Sequence, residues 1–155
     1  VLFRSMSIFK KIDNPELPKL SAGEILKFTK NQMGIHYLQS GWQDPEEWGA
    51  WTLGRSAKIP LPLASNKPNV AKFKFRALVN DKLTFQTIEV WVNGQFIKSQ
   101  TANQARDNEL LIEVPQTNAN LEVEFRLPNA AKPKDLGINN DERLIAIGLE
   151  SIEFK

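Results

Sequence analysis

Thr87-Ile88-Glu89-Val90-Trp91-Val92-Asn93-Gly94-Gln95-Phe96-Ile97 is the stretch that decides the fold. Ile88, Val90 and Val92 alternate with Thr87, Glu89 and Trp91, the period of two that gives a strand one dry and one wet face. Asn93-Gly94 follows, and a type I′ turn needs positive φ at both central positions, which Asn and Gly tolerate best. The stretch therefore predicts a β-hairpin, with Trp91 and Glu89 on the face away from the core. An outward Trp91 either covers a neighbouring loop or marks an interaction surface.

Similar patterns recur on both sides. Ala71 to Val79 alternates apolar residues with Lys72, Lys74 and Arg76, and Leu121 to Leu127 alternates them with Glu122, Glu124 and Arg126. The two charged stripes are expected to face each other as cross-strand pairs; the alternative for the basic stripe is a site for an anionic polymer such as a phosphate-bearing polysaccharide. Leu110 to Val114, Ile145 to Leu149 and Ser151 to Phe154 also read as strands. Ile59 to Leu63 contains Pro60 and Pro62, which confines it to a sheet edge. Ser21 and Glu24 have the spacing of a helix capping box, so Ser21 to Lys30 is a helix candidate, but a first strand over Glu24 to Thr29 is preferred. Short strands with turn signals between them predict an all-β fold: a single β-sandwich, jelly-roll-like, of about eight to ten antiparallel strands.

The totals narrow the function. The 155 residues suit one domain with a core of its own. Twenty basic against eighteen acidic residues leave a net charge of +2, which gives no reason to expect nucleic acid as a partner. There is no cysteine and one histidine, His36, so thiolate and multi-histidine metal sites are excluded. His36 is expected to be structural. No Asp/Asn cluster has a calcium-coordinating spacing, and no cofactor or metal is expected. No run approaches the roughly 18 apolar residues of a membrane helix, and no leader is visible. Cytoplasmic residence is expected, with no membrane insertion and at most a peripheral association through a partner. Val1 to Ser5 precede Met6 and read as cloning-derived; residues 6–19 read as an N-terminal extension and 20–155 as the sandwich.

Gly41-Trp42-Gln43-Asp44-Pro45-Glu46-Glu47-Trp48-Gly49-Ala50-Trp51-Thr52-Leu53-Gly54 concentrates three of the four tryptophans. They either plug an open end of the sandwich or build an aromatic platform. Trp48 and Trp51 are an odd number apart, so in a strand they would face opposite ways. Asp44, Glu46 and Glu47 could supply the planar acceptors that sugar hydroxyls need. A pair of acids also invites a hydrolytic reading, but no convincing second acid accompanies it. There is likewise no nucleophile elbow, phosphate loop or metal constellation, so the chain is not expected to be an enzyme. Glu46 is expected to pair with Arg143 or Arg55, Arg143 thereby locking the tryptophan loop; the alternative for Arg143 is direct contact with a ligand.

The run resembles the Gly-Trp-x-x-x-Glu-x-Trp-Gly-x-Trp-x-x-Gly segment of β-sandwich domains appended to bacterial glycosyltransferases and phosphoglycerol-transferase-like proteins of surface polysaccharide synthesis. The matching residues are Gly41, Trp42, Glu46, Trp48, Gly49, Trp51 and Gly54. The resemblance continues through Val90, Val92, Asn93 and Gly94, then Pro133, Leu136 and Gly137, then Asp141, Arg143, Ile147, Gly148 and Leu149. Ile145-Ala146 stands where a Leu-Gly pair is usual. The match runs from about Leu20 to Lys155 and favours a strand at Glu24 to Thr29.

The resemblance implies a non-catalytic, carbohydrate-associated module that binds a glycan or polysaccharide acceptor, or seats a glycosyltransferase on it. The candidate glycan site is Trp42, Asp44, Glu46, Glu47, Trp48, Trp51 and Arg143, with Gly41, Gly49, Gly54, Asn93, Gly94 and Asp141 as structural organisers. The alternative is a protein-interaction scaffold without sugar affinity, docking through Trp91 and its sheet face.

Overall fold

A computed structural model describes residues 17–116 and 120–155. The expectations for residues 1–5, and for most of the extension at 6–19, lie outside the described residues. The strands are β1 (Ile25–Lys27), β2 (Ala50–Trp51), β3 (Ser56–Pro62), β4 (Val70–Ala77), β5 (Gln86–Val92), β6 (Gln95–Ala102), β7 (Asn108–Glu113), β8 (Asn120–Arg126) and β9 (Ile147–Phe154). Among the described residues helix is limited to two 3-10 turns, Met33–Tyr37 and Pro133–Leu136. The larger sheet runs β1-β9-β4-β7, with β2 also against β9; the smaller runs β3-β8-β5-β6. Every strand pair is antiparallel. With the two-residue β2 set aside, this order is that of a jelly roll.

The alternating patterns form the core. Ala71, Phe73, Phe75 and Ala77 of β4 point inward, as do Ile88, Val90 and Val92 of β5 and Leu121, Val123 and Phe125 of β8. Phe73 and Phe125 meet edge to face across the two sheets, 5.4 Å between ring centres. β3 is an edge strand, as its prolines require, and Pro60 and Pro62 lie on its half-buried face. The Ser21–Glu24 pair does bond as in a capping box, Ser21 N–H donating to Glu24 Oε1 at 3.0 Å, but it closes a turn into β1 instead of a helix.

The charged stripes do not face each other. β4 and β8 belong to different sheets. Lys72 lies 3.7 Å from both Glu109 of β7 and Glu153 of β9, and Arg76 pairs with Glu150 of β9 at 2.9 Å. Arg126 pairs with Glu124 on its own strand. Alternation fixes which face a residue takes and leaves its neighbour strand open.

Among the described residues two bulges mark the sheets. Lys74 is opposite Ser151 and Phe75 opposite Leu149, so Glu150 is the extra residue of β9. Val90 is opposite Lys98 and Trp91 opposite Phe96, so Ile97 is the extra residue of β6. A bulge bends its strand and re-aims a side chain. Both lie beside an aromatic cluster on an outer face.

Candidate functional site

The tryptophan run folds as a short, irregular hairpin laid against β9. Its stem is held by Gln43 N–H donating to Trp51 O at 2.8 Å and Leu53 N–H donating to Gly41 O at 2.7 Å. Its tip is closed by Glu46 N–H donating to Gly49 O at 2.7 Å. Thr52 fastens the stem to the large sheet. Its hydroxyl is fully buried and accepts from the N–H groups of Ala146 and Ile147 at 3.1 and 3.2 Å. Gly41 adopts φ +84°, and a Cβ there would stand 2.1 Å from Ser56 O, so only glycine fits. Gly49 also lies against backbone, at Leu149 O, whereas Gly54, at φ +89°, faces open space. Asn93 and Gly94, at φ +50° and +82°, form the turn between β5 and β6 at a distance from this hairpin.

The three tryptophans divide between the two expected roles. Trp42 is a plug: its ring packs on the core and its indole N–H donates to Lys58 O at 2.9 Å. Trp48 and Trp51 lie together on the outer face of the large sheet, edge to face with centres 5.1 Å apart. They do not face opposite ways, because the chain between them turns at the hairpin tip and only Trp51 is in a strand.

Gly148 of β9 is the floor beneath the pair. It is opposite both Trp51 and Arg76 in the sheet, so all three share the outer face. A Cβ on Gly148 would stand 2.3 Å from Trp48 Cη2 and 3.1 Å from Trp51 Cε3. Arg76 closes the cluster from β4, its guanidinium carbon 4.0 Å from the Trp48 ring centre and its Nε donating to Glu150 Oε2 at 2.9 Å. Glu150 reaches Arg76 from the bulge. The resulting surface has two half-buried indoles, a stacked guanidinium and a carboxylate.

Of the remaining expected residues, Glu46 belongs to this cluster, accepting from the Trp48 indole N–H at 3.2 Å. Asp44 and Glu47 are exposed near the tip. The expected lock is corrected. Arg143 grips Asp141, with Nε to Oδ1 and Oδ2 at 2.9 and 3.0 Å and Nη2 to Oδ2 at 2.7 Å. Glu46 acts on Arg143 only as a weaker through-space charge. Hydrogen bonds from the Arg143 side chain and its backbone N–H hold the Asp141 carboxyl below its usual value. Arg55 is engaged elsewhere, donating to Pro128 O at 2.9 Å. The Asp141–Arg143 turn is a loop, not a strand, and its fork is satisfied two residues away. His36, expected to be structural, is exposed.

Sequence reasoning missed Arg76, Gly148 and Glu150 as members of the site. One signal was available: a glycine inside the apolar run Ile145 to Leu149 marks a close approach. The bulge that delivers Glu150 left none. Elsewhere, the buried Tyr37 hydroxyl donates to Pro18 O at 2.6 Å, and burial, with the nearby Glu24 charge, pushes its pKa up to about 12. Among the described residues no group of three His, Cys, Asp or Glu side chains could hold a metal ion, and no helix is long and apolar enough to cross a membrane.

No family model matches the chain, and neither does any curated protein sequence. Solved structures do match. An active-site mutant of a family two carbohydrate esterase from Clostridium thermocellum superimposes with a TM-score of 0.51 at 8% identity, over 86% of this chain and 31% of its own. The acetyl xylan esterase Est2A from the rumen bacterium Butyrivibrio proteoclasticus does so with a TM-score of 0.50 at 10% identity, over 88% of this chain and 30% of its own. A looser match, with a TM-score of 0.44 at 8% identity, is the carbohydrate-binding module CBM36 in complex with calcium and xylotriose, over 88% of this chain and 92% of that one. The chain spans about a third of the length of each esterase. What is shared at these identities is the fold, a β-sandwich of two antiparallel sheets.

Proposed function

We propose that the chain is a non-catalytic carbohydrate-binding module and that its site is the outer face of the large sheet around Trp48 and Trp51. One observation carries this reading: two half-buried indoles, a stacked Arg76 and the Glu150 carboxylate are held together on one face by a glycine floor. Apolar C–H faces of a pyranose stack on indole, and adjacent hydroxyls pair with a guanidinium fork and a carboxylate. Glu150 takes only the Nε of Arg76, and nothing among the described residues takes its two terminal nitrogens. Asp44 and Glu47 add exposed acceptors at the hairpin tip. The two esterases that share the fold are named for action on carbohydrates, which agrees with this reading.

The finer reading comes from the resemblance of the tryptophan run. The module would serve bacterial surface-polysaccharide assembly, binding the acceptor or seating a glycosyltransferase on it, in the cytoplasm or at a membrane periphery through that partner.

The test is an array of bacterial surface polysaccharides probed with the wild-type chain and with Trp51→Ala. Trp51 is chosen because Trp48 also seats Arg76. Retention of at least one glycan is expected, weakened roughly tenfold or more in a variant with unchanged far-UV circular dichroism, the equivalent of about 1.4 kcal/mol. Equal retention by both proteins, or retention of no glycan, would refute the assignment.

A further inference from the structure

The outer face of the small sheet repeats the arrangement on the large one. Trp91 of β5 carries the guanidinium of Arg126 over its ring at 3.7 Å. Arg126 Nε donates to Glu124 Oε2 at 3.0 Å. Phe96 meets Trp91 edge to face at 5.6 Å and 69°. On the large sheet the same four roles fall to Trp48, Arg76, Glu150 and Trp51, with the second aromatic at 5.1 Å and 73°. Each cluster adjoins a bulge, at Ile97 and at Glu150. In each, the carboxylate takes Nε, the guanidinium stacks on an indole, and no described residue takes the terminal nitrogens.

The second cluster also has a groove beside it. About 170 Å³ of open space is lined by Gln39, Lys58, Pro60, Gly94, Glu122 and Glu124, among others. Register puts groove and aromatics in one row: Lys58 is opposite Glu124, Glu124 opposite Trp91, and Trp91 opposite Phe96. Three steps between strands carry that row across about 14 Å. Its polar groups are mixed, Lys58 and Arg126 against Glu89, Glu122 and Glu124, so nothing in it selects a polyanion. The surface combines stacking rings with paired donors and acceptors, the chemistry of a neutral, hydroxyl-rich chain.

We propose that this face is a second carbohydrate site, for a neutral oligosaccharide lying along Lys58, Glu124, Trp91 and Phe96, and that the module is bivalent. The ligand class rests on the function proposed above; the site does not share a residue with it. Because the two clusters lie on outer faces of opposite sheets, they would engage separate stretches of polymer, and the chain would cross-link it.

The four indole N–H groups give a direct test in a nitrogen-15 correlation spectrum of the full chain. The probes are cellohexaose, xylohexaose and oligosaccharides released from bacterial capsular polysaccharide. With at least one probe the Trp91 indole signal is expected to shift and saturate with a midpoint different from that of Trp48 and Trp51. Trp91→Ala should erase that response and leave the Trp48 and Trp51 response in place. On the parent polysaccharide it should lower apparent affinity roughly tenfold or more and stop precipitation of the polymer. If Trp91→Ala does not fold, Arg126→Lys, which keeps the charge and loses the fork, should weaken the Trp91 response in the same way. Movement of Trp48 and Trp51 with Trp91 silent overturns the second site and leaves the first standing. Movement of Trp91 alone supports the second site and overturns the first. Silence of all three overturns both, and a Trp91 face that ignores every saccharide but binds a protein is the scaffold reading and overturns this one.

Discussion

Gly148 has no side chain, and that is how it organises the large-sheet cluster. It lets the Trp48 indole edge come down onto the sheet, where Arg76 can stack on the ring and still reach Glu150. Gly148→Ala would put a methyl 2.3 Å from Trp48 Cη2, in a strand held on both sides by other strands. Overpacking of this kind costs about 1–3 kcal/mol. The variant should unfold at lower denaturant, and the near-ultraviolet circular dichroism of the indole pair should change; an unaltered spectrum and midpoint would mean that the glycine is incidental. A glycine within an apolar run is a signal of close approach that sequence reasoning passed over, and the group approaching it had no signal, since Trp48 lies a hundred residues away in sequence. Arg143 was misread for the converse reason. Its partner Asp141 is local, and a local fork is satisfied before any distant carboxylate matters. That pair lies at the surface, Arg143 exposed and Asp141 half-buried, so it should contribute about 1 kcal/mol or less. Its pH dependence has a definite sign. The Asp141 carboxyl is held below its ordinary value when folded, so its contribution is present above that ordinary value and disappears as pH falls through the lowered one. The stability difference between wild type and Asp141→Asn, measured by urea unfolding, should be small at pH 7 and vanish in acid below the ordinary carboxylate range; a gap that widens in acid contradicts the assignment.

Individual elements carried most of the legible fold. β4, β5, β8 and the β5–β6 turn follow from alternation and Asn93-Gly94, and the edge position of β3 from its prolines. What alternation could not supply was partnership, so the basic stripe of β4 was matched to the wrong acids. It also could not supply the bulges, which need an extra residue in one strand and carry no composition signal. Gly94 tests the turn cleanly: its φ is +82° but a Cβ would meet nothing within 4 Å. Gly94→Ala should therefore cost the backbone term alone, about 1–2 kcal/mol, seen as a lower thermal midpoint. The edge of β7 is covered in a way no pattern announced. Lys98 Nζ and Gln100 Nε2 of β6, from the other sheet, donate to Leu111 O and Glu109 O of that edge. Uncovered edges template association. Lys98→Ala combined with Gln100→Ala should raise concentration-dependent self-association, followed by light scattering, with little change in far-UV circular dichroism.

Across the whole molecule the site is assembled from remote segments. The hairpin supplies Trp48 and Trp51, β4 supplies Arg76, and β9 supplies Gly148 and Glu150. β9 lies near the end of this sequence, yet it is central in the large sheet, with β1 and β2 on one side and β4 on the other. Five of its residues, Ile147, Leu149, Ile152, Phe154 and the floor Gly148, are buried there. Sheet order of this kind makes non-local pairing the late and slow part of folding, and it ties the binding face to completion of the sandwich. A chain ending at Ala146 should therefore lose more than one strand. β1 and β2 would have no neighbour in the sheet, β4 would have one bare edge, and the Thr52 hydroxyl would lose its contact with Ile147. It should show no cooperative thermal transition and an indole emission maximum typical of tryptophan in water. If it instead melts cooperatively near the wild-type midpoint, the large sheet does not depend on its central strand, and the account of how the cluster is held would fail with it.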